Sequence, residues 1–164
     1  MRSLALLAVA GCGAAQVTAP RPTTNPTWDA LVEALPGAWS ATTPDGTVIP
    51  VTFTLIANGS VMLEQFGPAE HQTATTYSRA AAGVEVTHYC GQGNQAHLRA
   101  TTDLDFTFVD ARDVDPGEGV LIELVFAVDG PDAFTRTETY RIPPGDGGGL
   151  DVTPYVYRRV PASP

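Results

Sequence analysis

Residues 87–99 read THYCGQGNQAHLR and hold His88, His97 and Cys90 within a short span. Two imidazoles and a thiol brought together would make soft ligands suited to zinc or copper. A cysteine beside a histidine would also make a nucleophile with its base. Strand register decides between these chemistries. A symmetric four-residue loop, Gly91 to Asn94, would pair Cys90 with Gln95 and His88 with His97, gathering all three on one face. A five-residue loop, Gly91 to Gln95, would place His88 and Cys90 on the face of Ala96 and Leu98 and turn His97 outward.

The apolar pattern favours the second register. Val84, Val86, His88 and Cys90 share one face of their run, and Ala96, Leu98 and Ala100 share one face of the next. Matching apolar faces keeps a whole set out of water, because side chains alternate along a strand. The expectation is therefore an inward His88 and Cys90, no metal site and no cofactor. Neighbours on one face lie about 7 Å apart along the strand, beyond the hydrogen-bond reach that a nucleophile and its base need. No catalytic residues are assigned on this basis, and a small Cys90/His88 enzyme or redox protein stays as an alternative.

A second chemical candidate is Glu64. The Asn58-Gly59 turn pairs Leu55 with Met62 and Phe53 with Glu64, since Asn-Gly favours a two-residue hairpin loop. Glu64 then shares a face with Phe53, Leu55, Met62 and Phe66. An inward carboxylate is costly unless paired, so either an arginine meets it inside or the face is partly exposed, and both remain open. If it is inward, Glu64, His88 and Tyr77 become polar groups in a mostly apolar cavity, the usual form of a small-molecule site. His71 beside Glu70 reads as a solvated loop, and the acidic stretch at 110–118 lacks the spacing of a calcium loop. The chain has no Gly-x-Ser-x-Gly, phosphate loop or His-Glu-x-x-His.

These residues sit on short β-prone runs separated by turn signals. The expected strands cover 38–43, 47–57, 60–66, 73–79, 83–90, 95–101, 104–110, 120–128, 133–142 and 150–160. One short helix precedes them at 27–35, with Thr27 as its cap, Asp29 in its first turn and Trp28, Leu31, Val32 and Leu35 on one face. The fold class expected is all-β. A meander of eight to ten strands tends to close, which removes its edges, so an antiparallel up-and-down barrel with one short N-terminal helix is expected, with a sandwich as the alternative.

The composition narrows the partners. The chain has 164 residues, a net charge of −9 and no lysine, which disfavours nucleic acid and anionic lipid surfaces as partners. One domain and a monomer are expected. The start, MRSLALLAVAGC, orders a charge, an apolar run and small residues before Cys12. It resembles the lipobox of bacterial lipoproteins, which implies a signal peptide at 1–11, a lipidated Cys12 and a tether through residue 26. The folded domain would span 27–162, held by its lipid outside the cytoplasmic membrane, in the cell envelope. With Cys12 lipidated, Cys90 has no disulfide partner within the chain.

Gly37-Ala38-Trp39 opens the first strand after the helix. This resembles the Gly-x-Trp of the calycin superfamily, which includes the lipocalins and fatty-acid-binding proteins. The resemblance implies that Trp39 closes the barrel base under a late arginine, here Arg158 or Arg159. A closer resemblance, over most of residues 28–160, is to bacterial lipocalin-like domains of uncharacterised function with a THYC…GNQPR hairpin. It rests on Gly59-Ser60, Glu64, Thr87 to Cys90 and Gly93-Asn94-Gln95. This chain departs from that pattern with Ala96 for Pro, His97 for Arg and Ser78 for His. The implied function is binding of a small, largely apolar ligand in the barrel interior, with His88, Glu64, Tyr77 and Cys90 as contacts. A structural or partner-binding envelope lipoprotein with a filled barrel is the remaining alternative.

Overall fold

The computed structural model describes residues 24–161. Cys12, the expected leader and most of the expected tether lie outside the described residues. A helix, α1 (Pro26–Ala34), precedes ten strands: β1 (Gly37–Thr42), β2 (Val48–Ile56), β3 (Val61–Phe66), β4 (Thr73–Arg79) and β5 (Val84–Tyr89), then β6 (Gln95–Ala100), β7 (Asp105–Arg112), β8 (Val120–Val128), β9 (Ala133–Ile142) and β10 (Gly149–Arg159). Each strand pairs antiparallel with its sequence neighbours, and β1 closes on β10 to complete a barrel. The connections β1–β2, β3–β4, β5–β6, β7–β8 and β9–β10 therefore share one end, the mouth. The other end, the base, receives α1.

Helix α1 closes the base because its apolar face has the barrel to bury it. Trp28, Leu31 and Leu35 are all but inaccessible and join Trp39 in the core. The helix starts one residue earlier than expected, and its cap is Asn25, whose Oδ1 accepts from Trp28 N at 3.0 Å. The Asn25 amide also donates to Gly83 O and Ala80 O at 2.7 and 3.2 Å. Thr27, the cap expected from sequence, instead donates to Thr102 O at 2.9 Å. Asn25 and Pro26, read as tether, thus belong to the folded part.

The helix C-terminus presents carbonyls that need partners. Trp39 Nε1 donates to Leu35 O at 2.7 Å, and Arg159 reaches Ala34 O, Pro36 O and Pro131 O at 2.9, 2.8 and 2.7 Å. The same guanidinium lies 4.2 Å from the centroid of the Trp39 ring, within cation–π range. Of the two arginines considered, Arg159 occupies this place and Arg158 is exposed. Gly37 fits here for a steric reason: at φ 132° a Cβ would stand 2.7 Å from Arg159 Nη1. Gly83 is tighter still, since a Cβ there would stand 1.9 Å from Ala100 O.

The interior above the base is filled. Phe134 stacks on Tyr157 at 4.1 Å and meets Trp39, Phe126 and Phe53 edge-on or tilted at 4.7, 5.8 and 6.2 Å. Tyr77 packs on Phe106 and Phe126. The largest aromatic side chains thus occupy the lower and middle barrel.

The β5–β6 hairpin has a five-residue loop, one position earlier than expected. Pairing runs Val86↔Leu98, His88↔Ala96 and Tyr89↔Gln95, so the loop is Cys90 to Asn94. The faces agree with the apolar pattern, but Cys90 leaves the strand. The cause is local: Cys90 N donates to Asn94 O and Gly93 N to Cys90 O, at 2.9 and 3.0 Å. The Asn94 side chain is buried and donates to Glu118 and to Gly119 O. A buried amide pinned to the next loop fixes where this turn begins.

Candidate functional site

Strand alternation on β9 turns Phe134, Arg136, Glu138 and Tyr140 inward, above the aromatic layer. Across the barrel, β3 contributes Glu64, β4 contributes Thr75 and Tyr77, and β5 contributes His88. Their polar atoms form two hydrogen-bonded runs that come side by side on β9. Tyr77 donates its hydroxyl to Glu64 at 2.7 Å. Arg136 donates one terminal nitrogen to Glu64 and the other to Glu138. Tyr140, the next inward residue of β9, lies 3.3 Å from His88 Nε2, and His88 Nδ1 lies 3.0 Å from Thr75 Oγ1.

The expected pairing of Phe53 with Glu64 is present, and Glu64 is 1% exposed. The question the sequence left open is thus resolved inward, with an arginine as partner. Such burial is tolerable because every charge here touches an opposite one. Arg136 also sits 5.2 to 5.9 Å from the ring centroids of Phe66, Phe126, Tyr155 and Tyr157, so its flat faces are covered, while its Nε is buried without a hydrogen-bond partner.

Burial and charge set the protonation states. Burial pulls the His88 pKa down from 6.5 to about 4, outweighing the pull of Glu64 in the other direction. His88 is neutral at pH 7. Burial would also lower Arg136, but Glu64, Tyr157 and Glu138 hold it above its ordinary range, firmly charged. Glu138 is raised: burial outweighs Arg136, and Glu64 adds repulsion. Burial likewise raises Tyr77, Tyr140 and Tyr157 and pushes Tyr155 up to about 12.

Above these runs a cavity of about 230 Å³ opens toward the mouth, walled by Glu64, Thr75, His88, Arg136, Glu138 and Tyr140 together with Phe66, Thr73 and Tyr155. Glu64 and His88, both anticipated, line it. Tyr77 belongs to the first hydrogen-bonded run, beneath the cavity. Cys90 is at the rim, where its sulfur accepts from Gln92 N at 3.5 Å. It lines a separate rim cavity with Asp146 and Asp151. Both His88 ring nitrogens are taken by Thr75 and Tyr140, so the His88–Cys90 dyad is not assembled. His97 faces outward and contacts Asp110 at 2.7 Å. Among the described residues, no three His, Cys, Asp or Glu side chains gather as metal ligands.

Arg136, Glu138, Tyr140 and Tyr155 were not anticipated as site residues. A signal for the first two exists: two opposite charges, two residues apart, share the face of Phe134 and Tyr140. The alternate face of β9 is Thr135, Thr137 and Thr139, which reads as neither clearly wet nor clearly buried. Compared with known proteins, the chain matches no family model and no curated protein.

Proposed function

We propose that this protein is a lipid-anchored binding protein of the bacterial cell envelope, with a calycin-like barrel that takes a small ligand at its mouth. One observation carries the reading: two hydrogen-bonded runs, Tyr77–Glu64–Arg136–Glu138 and Tyr140–His88–Thr75, face a cavity rather than being sealed by packing. Fixed, desolvated polar groups facing a pocket are what ligand selection uses. The ligand first expected, largely apolar and deep in the interior, gives way to a smaller one with polar groups. Aromatic side chains occupy the deep interior, and charged ones line what remains. The Cys12 lipid and the membrane are proposed partners on the leader pattern alone.

The test is native mass spectrometry of the full chain carrying Cys12→Ser, purified from its own host. A bound mass released on denaturation is expected, and its loss in Arg136→Met would place it at this cavity. Two or three preparations without any bound mass would sink the reading. That result would favour the alternative of a structural or partner-binding envelope protein, which draws on the filled aromatic interior. Cys12→Ser should also move the protein from the membrane fraction to the soluble one.

A further inference from the structure

We infer that the ligand of the mouth cavity is a small organic cation, an ammonium on an apolar or aromatic stem, seated against Glu138. The inference rests on the binding reading above and specifies its chemistry.

Charge balance is the first support. The buried trio contains two carboxylates, Glu64 and Glu138, and one guanidinium, Arg136. With both acids ionised it carries an unmatched negative charge. Both terminal nitrogens of Arg136 are already engaged by carboxylates, and its Nε is buried without a partner, but an incoming anion would meet both acids beside it. A cation meets an acid that is held by only part of one arginine.

The walls are the second support. Phe66 and Tyr155, with ring centroids 5.5 Å apart, line the same cavity as Tyr140 and Glu138. An aromatic wall beside a carboxylate suits an ammonium, through ring quadrupole and charge together.

The approach is the third. The mouth loops carry Asp45, Glu70, Asp113, Asp115, Glu118 and Asp146, and no arginine. Arg112 and Arg141 lie at strand ends, with register turning both outward. An acidic rim on a chain of net charge −9 concentrates cations and repels anions.

Binding would also be coupled to protons. Glu138 faces Arg136 and Tyr140 from its own strand, Glu64 from β3 and Tyr155 from β10, with His88 reached through Tyr140. Burial favours its neutral form, and an ammonium would favour the ionised one. Binding would then release a proton wherever Glu138 is partly protonated beforehand.

Titration calorimetry on the full chain with Cys12→Ser tests this with three nearly isosteric probes: benzylammonium, benzyl alcohol and benzoate. Benzylammonium is expected to bind about tenfold or more tighter than the alcohol, and benzoate to give no binding. Glu138→Gln should remove most of that preference, bringing benzylammonium down toward the alcohol. Tyr155→Leu, at the half-buried rim, should weaken benzylammonium without touching the ion pairs. Binding of benzoate or the alcohol as tight as benzylammonium would overturn the cation while leaving the binding reading intact. Silence from benzylammonium at millimolar concentration would overturn it too, and silence from all three with no co-purified mass would remove both.

Discussion

Replacing Arg136 with methionine would leave Glu64 and Glu138 facing a side chain of similar length without charge. Glu64 is 1% and Glu138 7% exposed, so neither can turn to solvent without opening the barrel. Removing one partner of a buried ion pair costs about 3–5 kcal/mol. At about 2–4 °C per kcal/mol for a domain of this size, the melting temperature should fall by about 6–20 °C at pH 7.5. The pH dependence is the sharper readout. Without Arg136, nothing offsets the burial that already raises Glu138. A raised acid stabilises the folded state below its unfolded pKa, and that stability is lost as pH rises through the folded pKa. The variant should therefore gain stability relative to wild type between pH 7.5 and 5, by circular dichroism melts. The triple variant Glu64→Leu, Arg136→Met, Glu138→Leu should recover most of the loss, since a packed apolar trio carries no desolvation cost. A single variant as stable as wild type, with an unchanged pH slope, would refute the claim that Arg136 neutralises a buried acidic pair.

Three further outcomes follow from the same geometry. His88 is depressed from 6.5 to about 4, so its contribution is intact above pH 6.5 and falls as pH drops toward 4, by about 3 kcal/mol in all. Denaturant titrations of His88→Gln should lack that share of the acid sensitivity, and an identical pH profile would count against the neutral buried imidazole. Gly83→Ala places a methyl 1.9 Å from Ala100 O at φ 75° and should cost about 2–3 kcal/mol or more, read as a lowered urea midpoint. Arg159→Ala strips donors from three carbonyls and a cation from Trp39, which should cost about 2–4 kcal/mol. Arg159→Lys should recover little of it because lysine lacks the fork, and full recovery would show that charge alone suffices there.

The barrel was legible in the sequence because period-2 alternation and turn residues are local signals. Strands β4, β8 and β9 have the expected bounds, 73–79, 120–128 and 133–142, and the others differ by a residue or two at their ends. The inward face of His88 was readable for the same reason. The start of its turn was not, because it depends on Asn94 reaching Glu118 and Gly119 across to the next loop. Glu64 was identifiable as a problem but not soluble locally, since its partner Arg136 lies 72 residues later. On β9 the threonine face is the outer one and the charged face the inner one, the reverse of what polarity alone suggests. Only closure of the barrel, which brings β9 opposite β3, makes that inversion favourable.

The docking of α1 gives the molecule a direction. Asn25 and Thr27 fasten the start of the helix to the turns at Ala80–Gly83 and Thr102, at the end opposite the cavity. The first described residue, Thr24, therefore lies at the closed pole of the barrel. A chain secured at Cys12 would stand on that pole with its opening pointed into the aqueous compartment, and tension along the tether would load the Asn25 and Thr27 attachments without prying at the cavity. In a protein anchored at Cys12 and binding at the cavity, capture and attachment would be mechanically separate.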